Sequence, residues 1–298
     1  MKRLSALLLA LSFALAWGPK GHEIITQYAI WNLPQGPLKR AFSAWAPDLR
    51  RAANDPDRRK ATTPGEAYRH YWSSELFEPW PFPDFPMGLA AARARFGEAT
   101  LEKGGILPWA IEESYRALVV AFRSRDRRAI VRAAGDLAHY LGDAHQPFHT
   151  TLDFDGQSWL NGGIHALFES TLIDAYFDER AEYRPRPARV ATEGPLALAF
   201  AVIRQDYPLV RALNQELWKA KRLYSAFDRR YYRMLWTGVF GKTERVQIRR
   251  AGGRLSSLYL TAWIEAGQPE LGAPAALRRG SGAAPGRERG GGRRAPFN

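Results

Sequence analysis

Between Asp126 and Pro147 the chain reads DRRAIVRAAGDLAHYLGDAHQP, and no other stretch constrains the fold as strongly. Its apolar residues recur at three- and four-residue intervals. Asp126 is of an N-cap type and Pro147 stops the pattern, so a long helix is expected over 126–146. On that helix His139 and Asp143 stand four apart and project from one face, one above the other. A lone pair of this kind is most often only hydrogen-bonded. Here His149 follows just past Pro147. The next helical segment, entered through Asn161-Gly162-Gly163, repeats the spacing with His165 and Glu169. Three imidazoles and two carboxylates from two neighbouring helices make a ligand set suited to zinc.

The rest of the chain shows no internal repeat and little alternation with a period of two. Helices are expected at about 20–33, 38–51, 88–103, 108–124, 126–146, 162–178, 194–222, 225–238 and 243–266, giving an all-α, single multi-helix domain over 17–266. The proline- and aromatic-rich FEPWPFPDFP at 77–86 reads as a loop at the lip of a site. Residues 1–16, MKRLSALLLALSFALA, have the charged start, short apolar run and small-residue end of a signal peptide. Cleavage between Ala16 and Trp17 is expected, giving a secreted or periplasmic protein. Residues 267–298, rich in Gly, Pro and Arg, lack apolar side chains to offset their ordering and are expected to be a disordered tail.

The chain has no cysteine, so an exported form draws its stability from a large core, from bound metal, or from both. The formal charge is +13. Loss of Lys2 and Arg3 leaves +11, and setting aside the tail, with six arginines against Glu270 and Glu288, leaves about +7 on the body. A basic body suits an anionic substrate or surface, and no motif calls for an obligate protein partner.

The run His139-Tyr-Leu-Gly-Asp143-Ala-His-Gln-Pro-Phe-His149 resembles the signature of the bacterial zinc-dependent phospholipases C and their relatives, the single-strand-specific zinc nucleases of fungi and plants. In that family the mature chain begins with a Trp whose amino group and carbonyl oxygen bind zinc, and Trp17-Gly-Pro-Lys-Gly-His22 resembles such an opening. AANDPDRRK followed by Tyr68-Arg69-His70-Tyr71 looks like the segment that supplies an early Asp and His. Asp55 has the better spacing to Arg58 and His70, and Asp57 is the alternative.

The resemblance implies three zinc ions. One would be held by Asp55, His70, His139 and Asp143, a second by His149, His165 and Glu169, and a third by Trp17, His22 and Asp143. The chemistry of phosphoryl transfer adds catalytic roles for Asp55, orienting water or accepting its proton, and for Arg58 or Arg69, contacting the phosphoryl group. The substrate implied is an anionic phosphodiester, phospholipid or single-stranded nucleic acid. Glu169, the absence of cysteine and the short connection from His149 to His165 resemble the phospholipases and tip the reading toward a phospholipase C-like hydrolase. The Trp17-to-His22 interval and the His-Gln-Pro run resemble the nucleases, which remain the alternative. A helical binding protein in which zinc only fixes the fold is a third reading. His145 has no assigned role.

Overall fold

The computed structural model describes residues 17–272 except 78, 80–87 and 227. The expected signal peptide at 1–16, the expected tail beyond 272 and nearly all of the expected loop at 77–86 lie outside the described residues. Within them all regular structure is helical, with α-helices in order α1 (Pro19–Asn32), α2 (Pro37–Ala44), α3 (Ala46–Ala52), α4 (Asp55–Arg59), α5 (Leu89–Phe96), α6 (Glu98–Gly104), α7 (Leu107–Ser124), α8 (Arg127–Ala144), α9 (Ile164–Ala166), α10 (Leu172–Tyr176), α11 (Pro195–Asp206), α12 (Leu209–Leu223), α13 (Arg229–Thr237) and α14 (Val239–Glu265). The fold is all-α, and no described helix is long and apolar enough to cross a membrane.

Local chemistry sets several boundaries. The Asp126 carboxylate accepts from the backbone N–H groups of Arg128 and Ala129 at 2.8 and 3.4 Å, capping α8 as expected. The expected helices over 38–51, 88–103 and 194–222 are each broken in two. The breaks fall at Trp45, at Gly97 with φ +78°, and at Tyr207–Pro208, where proline cannot continue the hydrogen-bond ladder. The expected helix over 162–178 contains a π-helical turn at Leu167–Thr171. The N-terminus of α14 is capped from a distance: both Glu216 carboxylate oxygens accept backbone N–H groups, of Val239 and Phe240, at 2.7 Å each.

Four long elements form the core. α7 lies along α8, and α1 packs on α14, whose Ile248, Ala251, Leu255, Leu258, Tyr259 and Ala262 make one buried stripe. Phe42 of α2 seals the centre, its ring 6.0 Å from that of Phe122 and 5.1 Å from that of Tyr259. Each such fully buried aromatic contributes roughly 1.5–3 kcal/mol. Two glycines of α8 allow close approach: a Cβ at 135 would lie 2.6 Å from the Ala52 Cβ, and one at 142 would lie 3.0 Å from His22 Nδ1. The first brings α3 against α8, and the second lets α1 set an imidazole against its C-terminal turns.

Asp206 and Glu244 are fully buried, and their carboxylate oxygens have no hydrogen-bond partner. Burial pushes the Asp206 carboxyl up to about 7 against the pull of Gln247, Arg254 and Arg250, and it pushes Glu244 well above the usual carboxylate range. Between pH 4 and 7 the folded chain therefore keeps a proton on Asp206 that the unfolded chain releases. Stability from this group is full below pH 4 and is lost as pH rises to 7, by on the order of 4 kcal/mol. Asp206→Asn is expected to remove that slope, read as urea midpoints from pH 4.5 to 7.5. Parallel curves for the two proteins would contradict the assignment.

Candidate metal centre

The site forms where the C-terminal end of α8 meets three other segments. α1 brings His22, the turn after α4 brings His70, and the chain beyond Pro147 brings His149. The backbone ties the last two together: Trp72 N–H donates to the His149 carbonyl at 2.8 Å, and His149 Nδ1–H donates to the His70 carbonyl at 2.6 Å. That second bond fixes the His149 tautomer and leaves Nε2 as the basic atom. His139 is set the same way by Nδ1–H to the Ala53 carbonyl at 2.7 Å, and His165 by Nδ1–H to the Phe154 carbonyl at 3.1 Å. The Asp155 carboxylate accepts from the backbone N–H of Gly163 and of His165, anchoring the start of α9.

Two close sets result. His70 Nδ1 lies 2.9 Å from His139 Nε2 and 3.0 Å from Asp143 Oδ2, and the latter two are 3.3 Å apart. Asp57 Oδ1 completes the set at 3.7 Å from His70 Nδ1 and 3.6 Å from His139 Nε2. In the second set His149 Nε2 is 3.1 Å from His165 Nε2, and Glu169 Oε2 is 2.8 Å from His165 Nε2 and 3.9 Å from His149 Nε2. Four ligands about 2.0–2.1 Å from one zinc are separated by edges of about 3.3 Å, which is the scale of both sets. Asp143 spans further: its Oδ1 is 3.4 Å from His22 Nε2, whose ring stacks on His139 at 4.0 Å.

The donor atoms fit a cation by a second test. His22 Nδ1 and Nε2 and Asp143 Oδ1 are buried without a hydrogen-bond partner, a costly state for converging polar atoms. The electrostatics agree. Burial, then the neighbouring His139, lowers His22 to about 4, so it is a neutral donor. Burial works to raise Asp143, but His139 and His149 hold it well below the usual carboxylate range. Anionic Asp143 beside neutral His22 is the state in which these groups bind metal. Although burial opposes it, Asp143 and Asp57 pull His139 upward, so a cation there would displace a proton.

The structure corrects one pair of sequence-based assignments. Asp55 is 45% exposed, paired with Arg58, and both lie outside the cluster; Asp57, 9% exposed, takes the ligand position. Residues two apart on a helix point about 200° away from each other, so α4 can turn only one of the two acids inward. Arg58, 59% exposed and paired with Asp55, is not among the side chains gathered at the donor atoms. Trp17, His22, His70, His139, Asp143, His149, His165 and Glu169 all converge here. The Trp17 indole N–H donates to the Gly142 carbonyl at 2.7 Å, and the next residue's N–H donates to the Glu169 carbonyl at 3.2 Å. His145 points away from the ligands: Nδ1–H donates to the Leu141 carbonyl, and Nε2 accepts from Arg254 at 2.9 Å.

Sequence reasoning missed Lys60. Its ammonium lies 2.7 Å from Asp57 Oδ1, almost buried, and its charge bears on His139. The signal was the three-residue step from Asp57, which keeps the two side chains on one face. It also missed Glu66, which stands 3.5 Å from His70 Nε2 and accepts from Tyr140 Oη. Although burial opposes it, hydrogen bonds from His70 and Tyr140, then Arg59, bring Glu66 down to about 2. It therefore holds the His70 ring with a full negative charge.

Clustered imidazoles and carboxylates on an all-α frame form three groups that could each hold a metal ion. The S1/P1 nuclease family model matches residues 17–169, more than half of the chain. The chain belongs to this family, whose members are zinc enzymes and phosphoric ester hydrolases. A probable serine protease of Bradyrhizobium tropiciagri is 30% identical over 88 residues, 24% of this chain. The match spans only 11% of that relative's length, and nothing of its printed activity is carried over.

Proposed function

We propose that this protein is a zinc-dependent phosphodiesterase acting on single-stranded nucleic acid. The observation that carries the catalytic part is the convergence of Asp57, His70, His139 and Asp143 beside His149, His165 and Glu169, with buried donor atoms left unsatisfied. Membership of the S1/P1 nuclease family and the basic chain support the choice of nucleic acid. A phospholipase C-like activity is the second reading, favoured by Glu169 as third ligand and by the short connection from His149 to His165.

Three zinc ions are the expected complement. Asp57, His70, His139 and Asp143 would hold one, His149, His165 and Glu169 another, and His22, Asp143 and the amino end of Trp17 the third. When bound, zinc supplies Lewis-acid polarisation of a phosphoryl oxygen and acidifies water at neutral pH. The chain's own groups do the rest. Asp57 orients the attacking water and accepts its proton, the role expected of Asp55 as the ligand. Lys60, beside it, places positive charge against a phosphoryl oxygen. Phe154, 43% exposed with its ring 6.1 Å from that of His165, offers a face for a base or a glycerol to lie on.

The Trp17 ligand requires removal of residues 1–16, so we also propose export and cleavage before Trp17. This reading is supported by the complete burial of Trp17 beside the cluster. The test is zinc-loaded protein beginning at Trp17, assayed on single-stranded DNA and on phosphatidylcholine vesicles side by side. DNA cleavage is expected to dominate, and His149→Ala should lower it at least about a hundredfold. Vesicle hydrolysis without DNA turnover would transfer the assignment to the second reading, and full activity in the variant would overturn both. Protein extended by one residue before Trp17 should bind one zinc fewer; unchanged metal content would remove the amino group as a ligand.

A further inference from the structure

A separate cleft of about 640 Å³ opens where α14 meets the segment leading into α11, on the far side of His145 from the metal ligands. Its walls carry four arginines, Arg186 and Arg189 from the segment and Arg250 and Arg254 from α14, together with the hydroxyls of Thr192 and Ser257. The elements hold these groups in fixed relation. Arg189 N–H donates to Ser257 Oγ at 3.2 Å, Ala191 N–H donates to Thr261 Oγ1 at 2.8 Å, and the Arg186 side-chain stem lies over Gly253, where a Cβ would approach it to 3.0 Å. Arg254 is braced between His145 Nε2 and Gln205 Oε1 at 2.9 and 2.7 Å, so its guanidinium has a set orientation.

The four cations lack counter-charge at close range. Among the described residues no carboxylate forms an ion pair with any of them, in a chain whose other arginines repeatedly find Asp or Glu. Two acids lie further off: Glu193 on the exposed rim and Asp206 buried behind Arg250 and Arg254. Four like charges around one concavity repel each other, a cost that an anion with several oxygens would offset by charge-assisted hydrogen bonds. Guanidinium forks beside hydroxyl donors match phosphate oxygens, and the volume is that of a small-molecule site.

We propose that this cleft is a second ligand site, binding a phosphate-bearing anion up to the size of a mononucleotide, independently of the metal centre. The shared chemistry is the phosphate group, and its source is either inorganic or nucleotide. The inference does not depend on which phosphodiester the metal centre cleaves. The test is calorimetric titration of the zinc-loaded protein with inorganic pyrophosphate and, separately, with adenosine 5′-monophosphate. Wild type is compared with the Arg189→Ala/Arg250→Ala double variant, which removes two partly exposed side chains and no metal ligand. At least one anion is expected to lose a class of binding, weakened tenfold or more, in the variant. Hydrolysis of bis-(p-nitrophenyl) phosphate by the variant is expected to match wild type. Loss confined to pyrophosphate assigns an inorganic ligand, and loss with the nucleotide assigns a nucleotide. Superimposable isotherms for both anions, or a wild type that binds neither outside the metal centre, would overturn the proposal.

Discussion

Asp143→Asn is expected to reduce phosphodiester hydrolysis by at least about a thousandfold and to release more than one zinc ion per chain. The size of the effect follows from where the carboxylate sits. Its two oxygens face different partners, Oδ1 toward His22 and Oδ2 toward His70 and His139, so one side chain joins donors from α1, α8 and the turn before Trp72. Asparagine keeps the shape but removes the charge and turns one acceptor into a donor, which would aim N–H groups at a site built for cations. Burial holds His22 neutral, whereas His139 is pulled upward, against its burial, by Asp143 and Asp57. The variant's unfolding midpoint, measured beside its metal content, therefore separates a ligand role from a structural one. Zinc content and turnover of bis-(p-nitrophenyl) phosphate check it together. Full metal content with activity within tenfold of wild type would remove Asp143 as the shared ligand.

The all-α class and the heart of this site were legible in the sequence because they rest on one local rule. His139 and Asp143 are four apart on a single helix, and His165 and Glu169 repeat the step, so chain spacing translates directly into distance in space. The second pair shows the limit of the rule. Its spacing was read as ordinary α-helix, whereas Glu169 lies in the π-helical turn that follows α9, and the widened turn still leaves its carboxylate 2.8 Å from His165 Nε2. π-helical turns of this kind recur at functional sites.

Other features were hidden because they depend on contacts between distant segments. Nothing near Gly135 says that α3 will press against it, and nothing in α14 announces that Glu216 will cap it from α12. The breaks at Trp45 and Tyr207 did have a local signal, in Pro47 and Pro208, which the apolar periodicity running across both positions masked. His145, inside the signature run, could be assigned only once Arg254, more than a hundred residues later, was seen to hold it. The choice between Asp55 and Asp57 went astray for a related reason: spacing to His70 was matched along the chain, while the decision is made by which way one short helix faces.

That choice carries the sharpest contrast between neighbouring positions. Asp57→Asn is expected to lower kcat/KM on bis-(p-nitrophenyl) phosphate by about a hundredfold or more, whereas Asp55→Asn should leave it within about twofold. Asp57 Oδ1 stands within 3.7 Å of two imidazole nitrogens and 2.7 Å from Lys60 Nζ, so its loss removes a metal ligand and strands an almost buried ammonium. Asp55 forms a largely exposed pair with Arg58, a class of contact worth about 1 kcal/mol or less and remote from the donor atoms. Lys60→Met extends the comparison: if the ammonium acts on the phosphoryl group as proposed and binds no metal, the variant should keep its zinc and yet lose about tenfold or more in kcat/KM. Zinc content measured beside the kinetics separates the three variants. A large loss at Asp55 with none at Asp57 would restore the assignment that chain spacing favoured and would mean that α4 turns its other face to the site.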